Sequence, residues 1–411
     1  MPTEVGATPW APRRVRPYRS PMTDMSADWR VVDGVATAWF DAPSLTAGAA
    51  LAGRLVDLPG DVAVDVRATG VRVRVAAAGQ AGAVSAAARD LGLTADPSAL
   101  QRVSVVVESP DPAAVRPFWQ GVLGYAPTED GDLVDPLRRD PVLRLRTSPE
   151  PRPLRNRLHL DVVRPAAVAE QVRPGEPYGV FGVCHADADG NEVDLVPAGG
   201  LDDAPGTTDW HAVFGAVACY RVASSSQQRD LVAAAAALAD EAGFPLLLDV
   251  RPGLVVLDTG KDRWDADAHG LDVDFPALAA RLQTAARDLG ATADAEPPRF
   301  VQLFLDAADV RAVRAFWLAV LGYVPDGRAA LDDVVDPRWL SPVLAFQEID
   351  AADTERRRQR NRVHVELAVP ADRAAARVAT ALDAGGRLLD ESPGRVRVAD
   401  PEGNELVVVA G

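Results

Sequence analysis

The octapeptide RNRLHLDV at Arg155–Val162 returns 205 residues later as RNRVHVEL at Arg360–Leu367. A repeat at that distance requires two copies of one unit within the chain. Other pairs extend the match. AARDLGLTAD from Ala87 answers AARDLGATAD from Ala285, and ESPDPAAVRPFWQGVLGY answers LDAADVRAVRAFWLAVLGY. DADGNEVDLV from Asp187 answers DPEGNELVVV from Asp400, and DVRATGVRVRV from Asp65 answers DVRPGLVVLDT from Asp249. The Gly/Asp/Thr-rich stretch GGLDDAPGTTD (199–209) reads as the linker between copies of about 200 residues each.

Composition narrows the partners. A net charge of −16 argues against nucleic-acid and anionic-membrane partners. No run approaches the ~18 apolar residues of a membrane span. Two cysteines, Cys184 and Cys219, make no disulfide framework and fit a reducing, cytoplasmic setting. The first 29 residues, with WAPRRVRPYRSP, are basic and Pro-rich and are expected to be a disordered tail, with Met22 or Met25 as alternative starts.

Each copy divides into a leading half and a trailing half. In the leading half of copy 1, GVATAWFD reads as a strand and SLTAGAALAGRLVDL as a helix capped by Ser44. VAVDVR and GVRVRVAA alternate as a hairpin, and AGAVSAAARDLGL closes as a second helix. The trailing half opens with the strand RVSVVVES. A helix from Asp111 follows, with Val115, Phe118, Trp119 and Val122 at core spacing and Gly124 at its C-terminal cap. Pro117 stands where copy 2 has Ala315, so this helix is expected to be kinked or shortened. Trp119 and Trp317 fall on the apolar stripe and are expected in the core. DADGNE and DPEGNE lack a calcium-loop ligand pattern and read as tight turns.

The trailing half resembles the vicinal oxygen chelate superfamily, which includes glyoxalase-like and bleomycin-resistance-like proteins. The residues that carry the resemblance are the opening strand, the D…FW…VLGY helix, the Arg-Asn-Arg-apolar-His strand and the final Gly-Asn-Glu turn. It implies βαβββ modules that curl a sheet into a cup around a small ligand, often with a divalent metal. The leading half resembles pterin carbinolamine dehydratases, through DVRATGVRVRV and ADEAGFPLLLDVRPGLVVL. That family's His-His-Pro run is replaced by Gly60-Asp61-Val62 and by Phe244-Pro245-Leu246. Only His269 follows, and only in copy 2. Dehydratase chemistry, which needs groups titrating near neutrality, is therefore not expected, and a packing scaffold is.

The expected fold is α+β with an internal duplication. Dehydratase-like domains at 30–98 and 210–296 each precede a glyoxalase-like domain, at 99–198 and 297–411. The superfamily's ligand positions carry over to Ser104, Arg144 or Arg146, His159 and Asp194 in copy 1. In copy 2 they fall on Gln302, Ala345 or Gln347, His364 and Val407. A catalytic metal usually has three or more His or carboxylate ligands. Copy 1 offers His159 and Asp194, with Ser104 a poor third and an arginine to oppose a cation; copy 2 offers less. Glu192 and Glu405 share strand faces with Asp194 and Val407. Arg157 and Arg362 share faces with the histidines, where an arginine could hold an anionic ligand or be a solvated strand end.

The expected function is binding of a small molecule in the two cups, by a metal-independent or resistance-type protein. The alternative is a lyase, isomerase or ring-cleaving enzyme with one divalent metal held by His159 and Asp194. A scaffold with closed pockets also stays open. The expected state is a monomer with a pseudo-twofold repeat or a homodimer.

Overall fold

The computed structural model describes residues 27–265, 270–328 and 330–411. Most of the N-terminal tail, Met22, Met25 and His269 lie outside the described residues. Among the described residues no helix is long and apolar enough to cross a membrane.

The leading halves of the two copies join into one ten-stranded sheet. Its centre is the antiparallel pair Val62–Arg67 and Leu247–Arg251, with Asp65 opposite Asp249. Strand alternation sends Val64, Val66, Leu248 and Val250 to one face, where they form a core with helices Leu45–Leu55, Ala78–Asp90, Ser225–Ala242 and Phe275–Asp288. Ser44 caps the first helix by accepting from the Ala47 amide, as expected. Trp29–Val32 is a further strand, at the edge of the expected tail.

The opposite face of this sheet carries the DVR motifs. Arg67 donates to Asp249 at 2.9 Å, and Arg251 donates to Asp65 at 2.5 Å. Each copy's arginine thus neutralises the other copy's aspartate. A one-residue slip at this junction would strand four buried charges, so the pairs fix register.

Two further sheets form the cups, and each combines both copies. The first sheet takes strands Cys184–Ala186, Glu192–Ala198 and Leu158–Pro165 from copy 1. It takes Phe300–Ala307, Leu344–Glu348, Val334–Val335 and Val324–Pro325 from copy 2. The second takes Arg102–Ser109, Val142–Thr147, Leu133–Val134 and Ala126–Pro127 from copy 1. Val363–Val369, Glu405–Ala410, Arg395–Ala399 and Arg387–Ser392 of copy 2 complete it. The central pairings are Leu158–Pro165 with Phe300–Ala307 and Arg102–Ser109 with Val363–Val369. Neither cup is built from one copy alone.

Helices Pro112–Leu123 and Val310–Leu321 cover the apolar faces of the cup sheets. Both have 12 residues, so Pro117 does not shorten its helix. Pro117 sits in the second turn, where it removes one backbone donor without ending the helix. Val115, Trp119 and Val122 are buried, while Phe118 is half-buried at the helix edge. The indole N–H groups of Trp119 and Trp317 donate to Asp187 and Asp400, the first residues of the two tight turns.

The ten-stranded sheet lies against both cups. Val213, Val217, Cys219 and Val256 pack on Val163 and Ala198 of the first, and Val32 and Trp39 pack on Ala368 of the second.

Candidate metal centre

The duplicated Arg-Asn-Arg and Gly-Asn elements form a lock between the copies. Asn156 accepts from the Arg362 amide, and Asn361 accepts from the Arg157 amide. Asn156 donates to Asn191, and Asn361 donates to Asn404. The Arg157 guanidinium reaches the Glu402 carbonyl at 2.8 Å, and that of Arg362 reaches the Gly190 carbonyl at 2.9 Å. Both arginines are buried, so the expected rim role in holding an anion is corrected. They are anchors, because a guanidinium beside a turn meets several unpaired carbonyls. Asp187 and Asp400 likewise accept from the backbone of their own turns, which makes those turns structural.

Beyond this lock the strand carries His159 and Asp161 onto the face of the first cup sheet opposite the core residues Leu158, Leu160 and Val162, two residues apart and therefore on the same side. His159 Nε2 lies 3.5 Å from Asp161 Oδ1. Asp194 stands beside Asp161 on the neighbouring parallel strand. One ligand atom from each of His159, Asp161 and Asp194 lies within 4.8 Å of the others. His159 stacks on Phe304 at 5.2 Å between ring centres. The Gln302 amide donates to Asp161 Oδ2 at 2.7 Å, and its carbonyl accepts from Lys261 at 2.9 Å.

Asp161 Oδ1, the oxygen that faces His159 Nε2, is buried without a hydrogen-bond partner. Buried polar atoms are normally paired, so an unpaired carboxylate oxygen in a ligand set fits a cation. Burial first, and then the neighbouring Asp194 carboxylate, push the Asp161 carboxyl above its usual range, against the pull of His159, Gln302 and Lys261. A cation would relieve that repulsion. His159 and Asp161 are buried, and Asp194 and Phe304 are half-buried. Cys184, opposite Asp194, is a poor ligand as it stands, since burial and the nearby carboxylates push its thiol up to about 12.

The second cup repeats the strand and not the chemistry. His364 occupies the place of His159 and Glu366 that of Asp161. Glu366 pairs with Arg144 at 2.9 Å and with Arg395 at 2.6 Å. Val407 lies opposite Glu366 where the first cup has Asp194. Glu405 and Glu108 are both bound by Arg360, at 2.6 and 2.7 Å. Burial pushes His364 down to about 4.

The exchange of strands corrects several expected ligand sets. Ser104 and Arg144 stand opposite or beside Glu366 in the second cup, away from His159. Gln302 belongs with His159 rather than with His364. Gln347 is exposed on the first sheet and donates to Asp306. Glu405 is held by arginine and is not free for a ligand. The third member of the cluster, Asp161, is absent from the sequence-derived set. Its signal was available, since the period of two that places Arg157 beside His159 also places Asp161 there. Two cavities, of about 30 and 70 Å³, lie along the seam with the ten-stranded sheet, and neither histidine lines them.

Residues 104–196 and 302–409 match the model of the Glyoxalase-like domain. No curated protein matches the sequence. Among solved structures, glyoxalase I from Zea mays is similar at 12% identity and a TM-score of 0.36, over 76% of this chain and 92% of that one. A glyoxalase-related enzyme from Fulvimarina pelagi is similar at 20% identity and a TM-score of 0.19, over 26% of this chain and 84% of its own. A glyoxalase/bleomycin resistance protein from Albidiferax ferrireducens T118 is similar at 15% identity and a TM-score of 0.20, over 26% and 94%. The trailing half of each copy thus matches a glyoxalase-like domain.

Proposed function

We propose that the first cup is the working site of this protein. It binds one divalent cation through His159, Asp161 and Asp194, and beside it a small ligand with neighbouring oxygen atoms. The observation that carries this is the three-residue ligand set itself, in which Asp161 Oδ1 is buried without a hydrogen-bond donor and lies 3.5 Å from His159 Nε2. A cation held there would supply Lewis acidity toward the ligand's oxygens. The chain's own residues orient the set: Gln302 fixes one oxygen of Asp161, and Phe304 holds the plane of the His159 ring. The chain supplies every strand of both cups, and we propose that it works as a monomer with a pseudo-twofold repeat.

A metal-independent binder is the second reading. It is favoured by the raised Asp161 carboxyl, whose charged form is disfavoured by burial and which lies 3.5 Å from His159 Nε2. Dehydration of a pterin carbinolamine is disfavoured, since the only titratable group in the two replacement runs, Asp61, is paired with Arg138.

Calorimetric titration of chelator-treated protein with zinc, nickel, manganese and ferrous ions separates the first two readings. One ion per chain is expected, with affinity lowered on the order of 100-fold in D161N and unchanged in H364A. No binding, or binding indifferent to D161N, would leave the metal-independent binder.

A further inference from the structure

The two copies differ at the face of the ten-stranded sheet that meets the cups. Copy 1 has Arg72 and Arg74 where copy 2 has Val256 and Asp258. In the copy 2 half, Arg67 and Arg139 are matched by Asp249 and Asp258. In the copy 1 half, the single carboxylate of Asp65 serves three guanidinium groups. Arg72 donates to it at 2.7 Å, Arg74 at 3.2 Å and Arg251 at 2.5 Å. All four residues are more than nine-tenths buried. The counterpart of Arg139 in copy 2 is Leu340, which gives Arg72 only a backbone carbonyl. Positive charge is therefore in local excess where burial makes it costly.

A cavity of about 30 Å³ opens at this place, lined by Arg72, Arg74, Arg102, Arg138, Arg139 and Asp140. Arg74 Nε is a buried donor with no partner. Asp140, the one acid among these, is already held by Arg299 at 2.6 Å. Arg102 pairs with Asp33 at 3.3 Å and Arg138 with Asp61 at 2.5 Å, and their side chains are 20% and 18% exposed. They form the solvent side of the cavity. At roughly 10–15 Å³ for each water-sized group, the space suits the head of a small anion and not a nucleotide.

We propose that this seam cavity binds a small oxyanion, of phosphate or carboxylate type, between the ten-stranded sheet and the second cup. Forked guanidinium donors on several sides suit a planar or tetrahedral oxyanion. The site is separate from the His159 cluster, and its occupancy does not depend on the cation.

Calorimetry and thermal melting of the full chain with inorganic phosphate and with acetate, against sodium chloride at matched ionic strength, test the proposal. One saturable site for phosphate or acetate is expected, and whichever binds more tightly identifies the head group. R74Q and R102Q should each weaken it about tenfold or more, while R146Q, outside the cavity, should leave it unchanged. Should R74Q fail to fold, R102Q at the solvent side decides alone. The proposal is overturned if neither anion exceeds chloride, if R102Q binds like the wild type, or if R146Q weakens binding as much as R102Q.

Discussion

In the first cup Asp161 and Asp194 lie side by side, and among the described residues no arginine pairs with either. In the second, Glu366 lies between Arg144 and Arg395 and faces Val407. The same strand, Arg-Asn-Arg-apolar-His-apolar-acid, thus serves two electrostatic designs. One leaves its two carboxylates without a guanidinium partner among the described residues. The other neutralises its own with guanidinium groups fixed to the chain. A duplicated histidine says little about function until the charges around it are counted.

The greatest disturbance of this contrast would come from loss of the second cup's internal cation. Arg144 also pairs with Asp33 and Asp132, and its side chain is 13% exposed. R144M takes one of two arginine partners from each of Glu366, Asp33 and Asp132, and the loss of three charged pairs should cost about 3–5 kcal/mol in chemical denaturation. A loss below about 1 kcal/mol would mean that Arg144 is not what neutralises the cup.

Next is a pH effect confined to the second cup. His364 is held near 4, below its ordinary 6.5, because burial disfavours its charged form. The unfolded chain takes up this proton first, so stability is full above pH 6.5 and falls as the pH drops toward 4. The loss amounts to about 3 kcal/mol, and H364Q should flatten that slope. Identical slopes in the two proteins would remove His364 as the cause.

A smaller effect separates the cups by its sign. E366Q breaks two ion pairs and should destabilise by about 1–3 kcal/mol. D161N removes a carboxyl already pushed upward by burial, so in chelator-treated protein it should change stability by less than about 1 kcal/mol, or raise it. Equal losses at both positions would show the cups to be electrostatically alike.

Much of this architecture was legible in the sequence. The repeat placed the two copies, the strand alternation gave the faces, and Ser44, Asp111 and Gly124 marked helix ends where they occur. What could not be read was the exchange of strands. Arg155–Val162 and Arg360–Leu367 are so alike that either could pair with either opening strand, and local pattern does not choose between such registers. The lock between Asn156, Asn361 and the backbone amides of the other copy's Arg362 and Arg157 makes the choice, through contacts some 200 residues apart in the chain. Position-by-position transfer therefore assigned Ser104 and Gln302 to the wrong histidines. It also passed over Asp161, because the superfamily pattern draws its ligands from separate strands, whereas here one strand carries two members of the cluster.

If the cups differ as proposed, each chain holds one cation, and holds it in the first cup only. Elemental analysis of protein purified without chelators reads this out. About one divalent ion per chain is expected in the wild type and in H364A, and none in H159A. An ion lost in H364A and kept in H159A, or no ion in any preparation, would contradict the assignment.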